Sequence, residues 1–202
     1  MSADEILALP PLAREFYLRP AAEVARDLIG HAIVHREGRR RVTAGRIVEA
    51  EAYLGLADAA AHAYRGLTAR TRVLFGPPGH AYVYIIYGMY DCLNLVAEPE
   101  GSPGCVLIRA LEPLAGLDAM RIRRAKARRV EDLCSGPGRL TAALGVTKVR
   151  HYGADVVSGA LSVRRLPLDD GEEIAVTPRI GIKDNIDWPL RFVVAGSPFA
   201  SR

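Results

Sequence analysis

Between Ala81 and Val96 the chain carries two runs rich in Tyr, Val and Ile that meet at Gly88. Short runs of β-branched and aromatic residues, broken by one flexible residue, pair most readily with each other across a tight turn. The segment therefore reads as a β-hairpin. The same spacing recurs elsewhere. Residues 31–35 and 42–53 read as strands on either side of Gly38, and 105–111 as another. From Leu161 onward strands alternate with turns such as Asp169-Asp170-Gly171. Neighbouring strands joined so tightly leave no room for crossover helices. The expected fold is α+β, with an antiparallel sheet rather than βαβ winding. Helices are expected at 20–29, opened by Pro20 and stopped by Gly30, and at 114–129 and 138–144.

The length of 202 residues suits one domain with a real core. No fixed-period repeat points to a solenoid. Residues 1–12 carry Asp4 and Glu5 and lack the basic-then-apolar order of a signal peptide, and no apolar run approaches the ~20 residues that cross a bilayer. A soluble, membrane-free, cytoplasmic protein is expected, nucleoid-associated in a bacterium or nuclear in a eukaryote. Cys92, Cys105 and Cys134 are odd in number and form no Cys-x-x-Cys pair, so neither a zinc site nor a disulfide framework is expected. The net charge of +4 permits a polyanionic partner without requiring one. Basic residues cluster at Arg36, Arg39, Arg40 and Arg41, and at Arg121, Arg123, Arg124, Lys126, Arg128 and Arg129. Both clusters suit phosphate, and both suit plain solvated surface. On the second, Leu117, Met120 and Ile122 are placed to face the core.

Two patterns carry chemistry. Residues 46–53 alternate with period two, which puts Ile47, Glu49, Glu51 and Tyr53 on one strand face. Carboxylates in so apolar a strand are costly unless paired, and Arg109, interrupting the apolar run 106–108, is the candidate partner. Such glutamates serve either as catalytic groups or as members of a structural ion pair. The second pattern is the hairpin itself, with four of the chain's eight tyrosines within 82–90. Tyr82 and Tyr84 share a face and Tyr87 falls at the turn. An aromatic at a hairpin tip has no core to fill, and it suits a wedge between base pairs. A tyrosine-rich structural strand pair is the plainer alternative.

These residues together resemble the alkyladenine, or 3-methyladenine, DNA glycosylases of the mammalian type. The resemblance is carried by RIVEAEAYLG at 46–55, His62, YVYIIYGMY at 82–90, Asn94, LIRALEP at 107–113 and LCSGPGRL at 133–140. It continues through Arg179-Ile180-Gly181, the stretch 189–192 and Gly196-Ser197-Pro198, so it spans roughly residues 15 to 199 in consistent order.

The resemblance implies a compact single domain with an antiparallel sheet closed like a barrel, flanking helices and a protruding hairpin. It implies a monofunctional enzyme that flips alkylated or deaminated purines from duplex DNA and hydrolyses the N-glycosidic bond. It also implies a monomer without metal or cofactor. By similarity Glu51 activates water, held with the help of Arg109 and the Ile180 carbonyl. Tyr53, His62 and Tyr84 line the base pocket, and Asn94 rejects an exocyclic amine on the purine's minor-groove edge. Tyr87 fills the gap in the duplex, with Gly88, Met89, Tyr90, Ser135 and Gly136 against the DNA. Thr71 departs from the Arg-Asn common in the family's loop, and Asp91 stands where an aromatic is common. Two rival classes remain open: a damaged-DNA-binding module without catalysis, and a metal-dependent nuclease built on Glu49, Glu51, Asp58 and His62.

Overall fold

The computed structural model describes residues 1–38 and 41–201. Arg39 and Arg40 of the first basic cluster lie outside the described residues. The elements run α1 (Ala3–Ala8), α2 (Arg14–Tyr17), α3 (Ala21–Leu28), β1 (Ala32–Glu37) and β2 (Arg41–Tyr53). Then come β3 (Ala81–Ile86), β4 (Tyr90–Val96), β5 (Cys105–Ala115), α4 (Leu117–Arg123), α5 (Pro137–Leu144) and α6 (Lys148–His151). The chain finishes with β6 (Leu161–Arg164), β7 (Ile174–Thr177) and β8 (Arg191–Val194).

The fold class is α+β in one compact domain, and every strand pair is antiparallel, as short turns require. The order is β3-β4-β5-β2-β1-β6, with β7 joined through β8 to β2. The long strand β2 is the spine. β5 runs along one side of it, while β1 pairs its first half and β8 its second half on the other side. The sheet is not closed, contrary to the barrel expected by resemblance. The strands at the two ends of the main path, β3 and β6, are capped by separate chain segments instead of by each other. The Ala81 N–H of β3 donates to the Ala154 carbonyl, and the Leu12 N–H donates to the Val163 carbonyl of β6.

Helix α3 buries Ala21, Val24, Ala25 and Leu28, a single stripe at helical spacing, against the sheet. Burying a side chain such as Leu28 contributes about 1.5–3 kcal/mol. Gly30, at φ 94°, turns the chain out of this helix into β1. The helix expected at 114–129 is shorter at both ends. β5 continues to Ala115, and Gly116, at φ 76°, makes a turn in which a Cβ would collide with the Val42 carbonyl oxygen. Beyond Arg123 the basic run leaves the helix, and Arg124 donates to the Asp132 carbonyl. Met120 is buried, but Ile122 is 80% exposed, so the core face of α4 is narrower than expected.

Candidate active site

A register irregularity in the β2–β5 ladder between Ile47 and Ala50 sets up the site. A bulge there shifts side-chain direction by one residue. Ile47 consequently joins Val48, Ala50 and Ala52 in the main core and leaves the face it was expected to share. Glu49 and Glu51 are turned toward Arg109.

The two glutamates are both fully buried but have different partners. Glu49 is saturated. It accepts from Arg191 Nε at 2.7 Å, Arg109 Nε at 2.9 Å, and the Ser201 N–H and hydroxyl at 2.6 and 2.8 Å. Burial alone would raise its pKa, yet the Arg191 and Ser201 hydrogen bonds and the Arg109 charge bring it below the usual range. Glu51 Oε1 accepts from the Ile180 N–H at 2.8 Å and lies 3.2 Å from Arg109 Nη1. Its Oε2 accepts from the Tyr53 hydroxyl at 3.0 Å. Here burial outweighs the Arg109 charge and these donors, and the pKa is raised. Burial opposes the charge of Arg109 as well, but Glu51 and Glu49 more than offset it and hold it firmly cationic.

Tyr53, Arg109 and Ile180, which hold Glu51, open onto a cavity of about 1330 Å³. His62, Tyr82, Tyr84 and Asn94 form its aromatic and amide wall. Asn94 Nδ2 donates to the Tyr82 carbonyl at 3.1 Å, which fixes its amide. The His62 ring is open on the cavity side but flanked edge-on by Tyr84 at 4.5 Å, and its Nδ1 lies 2.9 Å from the Tyr82 hydroxyl. This enclosure, with the Arg70 charge, keeps its pKa below the ordinary value, so the ring is neutral at pH 7.

At the rim stands the β3–β4 turn. Tyr87 is 81% exposed and takes φ 53°, followed by Gly88 at φ 69°. Consecutive positive φ values are those of a type I′ turn. A bulky residue in that region is a genuine outlier of the kind that clusters at functional sites. Met89 and Tyr90 are exposed beside it. Ser135 and Gly136 lie on the cavity lining just before α5, where Arg139 Nη1 donates to the Ser135 hydroxyl at 2.9 Å.

A family model described as methylpurine-DNA glycosylase matches residues 15–198. The chain belongs to this family. A relative from Koribacter versatilis is 50% identical over all of this chain and 98% of its own length. Another from Methanocella arvoryzae is 50% identical, covering 96% of this chain and 97% of its own. One from Chlorobaculum tepidum is 44% identical over 95% of this chain and 90% of its own. Each is provisionally named a 3-methyladenine DNA glycosylase, and these relatives are bacterial and archaeal.

Against this family background, Glu51, Arg109, Tyr53, His62, Tyr84, Asn94 and Ile180 converge from five separate stretches of chain. Several partners were not visible in the sequence. Tyr82 orients His62 and Asn94. Asp58 and Arg179 form a fully buried ion pair, and the Arg179 guanidinium lies 4.6 Å from the Tyr53 ring centre. Arg191 and Ser201 complete the shell of Glu49. No local pattern marks Arg179, Arg191 and Ser201, because their acidic partners are more than a hundred positions away. The two departures have structural explanations. Asp91 accepts from the Lys148 N–H at 2.9 Å, at the start of α6. Thr71 is buried and donates to the Gly66 carbonyl at 3.1 Å. Among the described residues no three His, Cys, Asp or Glu side chains gather as metal ligands.

Proposed function

We propose that this chain is a base-excision repair DNA glycosylase of the same kind as the mammalian-type enzymes. It takes an alkylated or deaminated purine, of the 3-methyladenine or hypoxanthine class, out of duplex DNA and hydrolyses its N-glycosidic bond. The observation that carries this reading is Glu51. A buried carboxylate with a raised pKa, held from both sides by Arg109, the Ile180 N–H and Tyr53, adjoins an aromatic cavity of base-binding character. A base of this kind is best tuned when its pKa moves toward the working pH.

In this reading the Ile180 carbonyl, 3.5 Å from Arg109 Nη1, and Glu51 position a water molecule. The water oxygen bonds to C1′ of the deoxyribose, its proton passes to Glu51, and the bond to N9 breaks with its electron pair leaving on the purine. The carboxylate also favours the positive charge that develops on the sugar. Tyr53, His62 and Tyr84 enclose the base, and an N-alkylated purine, already cationic, both leaves easily and is attracted to aromatic faces. Asn94, held in place, crowds the purine's minor-groove edge. Tyr87 enters the stack vacated by the flipped nucleotide, with Gly88, Met89 and Tyr90 in the minor groove and Ser135 and Gly136 against phosphate. The protein acts as a monomer on DNA, at the nucleoid in the cytoplasm of a bacterium or in the nucleus of a eukaryote.

The test is base release from duplexes that each carry 3-methyladenine, 7-methylguanine, hypoxanthine or ethenoadenine, run in EDTA. Release that leaves an intact abasic site supports the reading, and release from none of the four overturns it. Lys126 and Lys183 both lie on the cavity lining, and an amine is the group a Schiff-base mechanism would need. The water mechanism predicts that borohydride traps no protein–DNA adduct, and an efficient adduct would replace it with a Schiff-base mechanism.

A further inference from the structure

Arg70 takes no part in the mechanism above, yet it is aimed at the pocket. Its loop is built to hold still. The Thr71 hydroxyl accepts from the Thr68 N–H at 2.9 Å and donates to the Gly66 carbonyl. From the other side the Tyr152 hydroxyl donates to the Arg70 carbonyl at 3.1 Å. So anchored, the Arg70 guanidinium lies 5.3 Å from the centre of the Tyr84 ring, and its Nη2 is 3.3 Å from His62 Nε2. Arginine can only donate, so Nε2 is the acceptor, and in a neutral imidazole the proton then sits on Nδ1. Nδ1–H donates to the Tyr82 hydroxyl. One side chain therefore sets the tautomer of His62 and occupies the charge-attracting surface of Tyr84.

We propose that Arg70 is a specificity-determining residue: it holds His62 as the neutral Nδ1–H tautomer and fixes a positive charge against Tyr84, tilting the pocket toward uncharged purine lesions and away from cationic N-alkylpurines. The proposal rests on the glycosylase reading. Aromatic walls alone would favour the cation. A guanidinium already placed on one of those rings takes up that attraction and repels a second cation across the cavity. Between like charges in partly wet surroundings this amounts to about three- to tenfold in relative rate. His62, with its outward nitrogen engaged, also has no N–H to offer a base acceptor.

Single-turnover base release on 7-methylguanine and hypoxanthine duplexes tests this, using wild type, Arg70→Gln and Arg70→Lys. Arg70 is exposed, so both variants are expected to fold. The cationic-to-neutral rate ratio should rise about three- to tenfold in Arg70→Gln and stay near wild type in Arg70→Lys, which keeps the charge. The ¹⁵N shifts of His62 should report Nδ1–H in wild type and a tautomer mixture in Arg70→Gln. An unchanged ratio in an active Arg70→Gln, or an Nε2–H tautomer in wild type, overturns the proposal. Wild-type protein that releases neither base overturns the glycosylase reading and the specificity claim with it. The two failures are thereby distinguished.

Discussion

Glu49 and Glu51 lie two positions apart on β2, are equally buried, and are shifted in opposite directions. The difference is the donor set: Glu49 accepts four bonds from Arg109, Arg191 and Ser201, while Glu51 shares Arg109 and otherwise has only an amide and a phenol. Environments that separate two carboxyls in this way assign their roles, one as an anchor and one as a base. Glu51→Gln should therefore cut single-turnover base release by about 10²–10⁴ while lesion binding persists. A rate within tenfold of wild type would move the base elsewhere. Asp58 poses a different residue-level question. It is fully buried against Arg179, which also bonds the Ala52 carbonyl. Removing one member of a buried pair leaves the other charge uncompensated, so Asp58→Ala should cost about 3–5 kcal/mol in urea unfolding. A loss below about 1 kcal/mol would mean that Arg179 finds solvent when Asp58 is removed.

The hairpin of β3 and β4 does two jobs with its two ends. Near its base Tyr82 and Asn94 are buried in the cavity wall, and at its tip Tyr87 stands in solvent. Tip and base are separated by the strands, so the tip can change without disturbing the wall. Tyr87→Ala should leave the unfolding free energy within about 0.5 kcal/mol of wild type, as for other surface substitutions. It should at the same time weaken binding to lesion-containing duplex and slow base release. Unchanged binding and rate would show that the exposed ring has no part in flipping. The reach of β2 is the other consequence at this scale. Its 13 residues pair with β1, β5 and β8, so one bulge in it positions Glu49 and Glu51 relative to strands from both ends of the chain.

For the molecule as a whole, pH is the simplest probe of how its charges are held. His31, His62 and His151 all have lowered pKa values, burial being the largest cause in each. The Nε2 atoms of His151 and His35 lie 3.1 Å apart. A histidine with a depressed folded pKa binds fewer protons folded than unfolded. Its stabilising effect is complete above the unfolded value near 6.5 and is lost as pH falls toward the folded value. Glu51, with a raised pKa, works in the opposite sense, but it is one group against three. The unfolding free energy should therefore decrease between pH 7.5 and 5.5. Glu49, Asp58, Asp155 and Glu172, all lowered, extend the loss below the ordinary carboxylate range as their ion pairs are protonated. Urea titrations at several pH values check this, and a flat or rising stability on acidification would contradict it.

Local pattern determined the class of fold. Period-two runs, the Gly88 turn and the stop at Gly30 depend on backbone sterics and side-chain alternation within a few residues, and these survive in a one-dimensional reading. The pairing of Arg109 with the strand glutamates was also legible, because an unpaired charge in an apolar strand demands a partner and few candidates exist. The open edge of the sheet was not legible, since it depends on which distant segments cap β3 and β6. Nor was the start of α4, where Gly116 passes too close to the Val42 carbonyl of another strand to carry a Cβ. The bulge that turned Ile47 into the core, the buried Asp58–Arg179 pair and the aim of Arg70 onto His62 and Tyr84 were likewise decided in three dimensions. Each depends on contacts between residues far apart in the chain, and the energies of such contacts leave no periodic trace in the sequence.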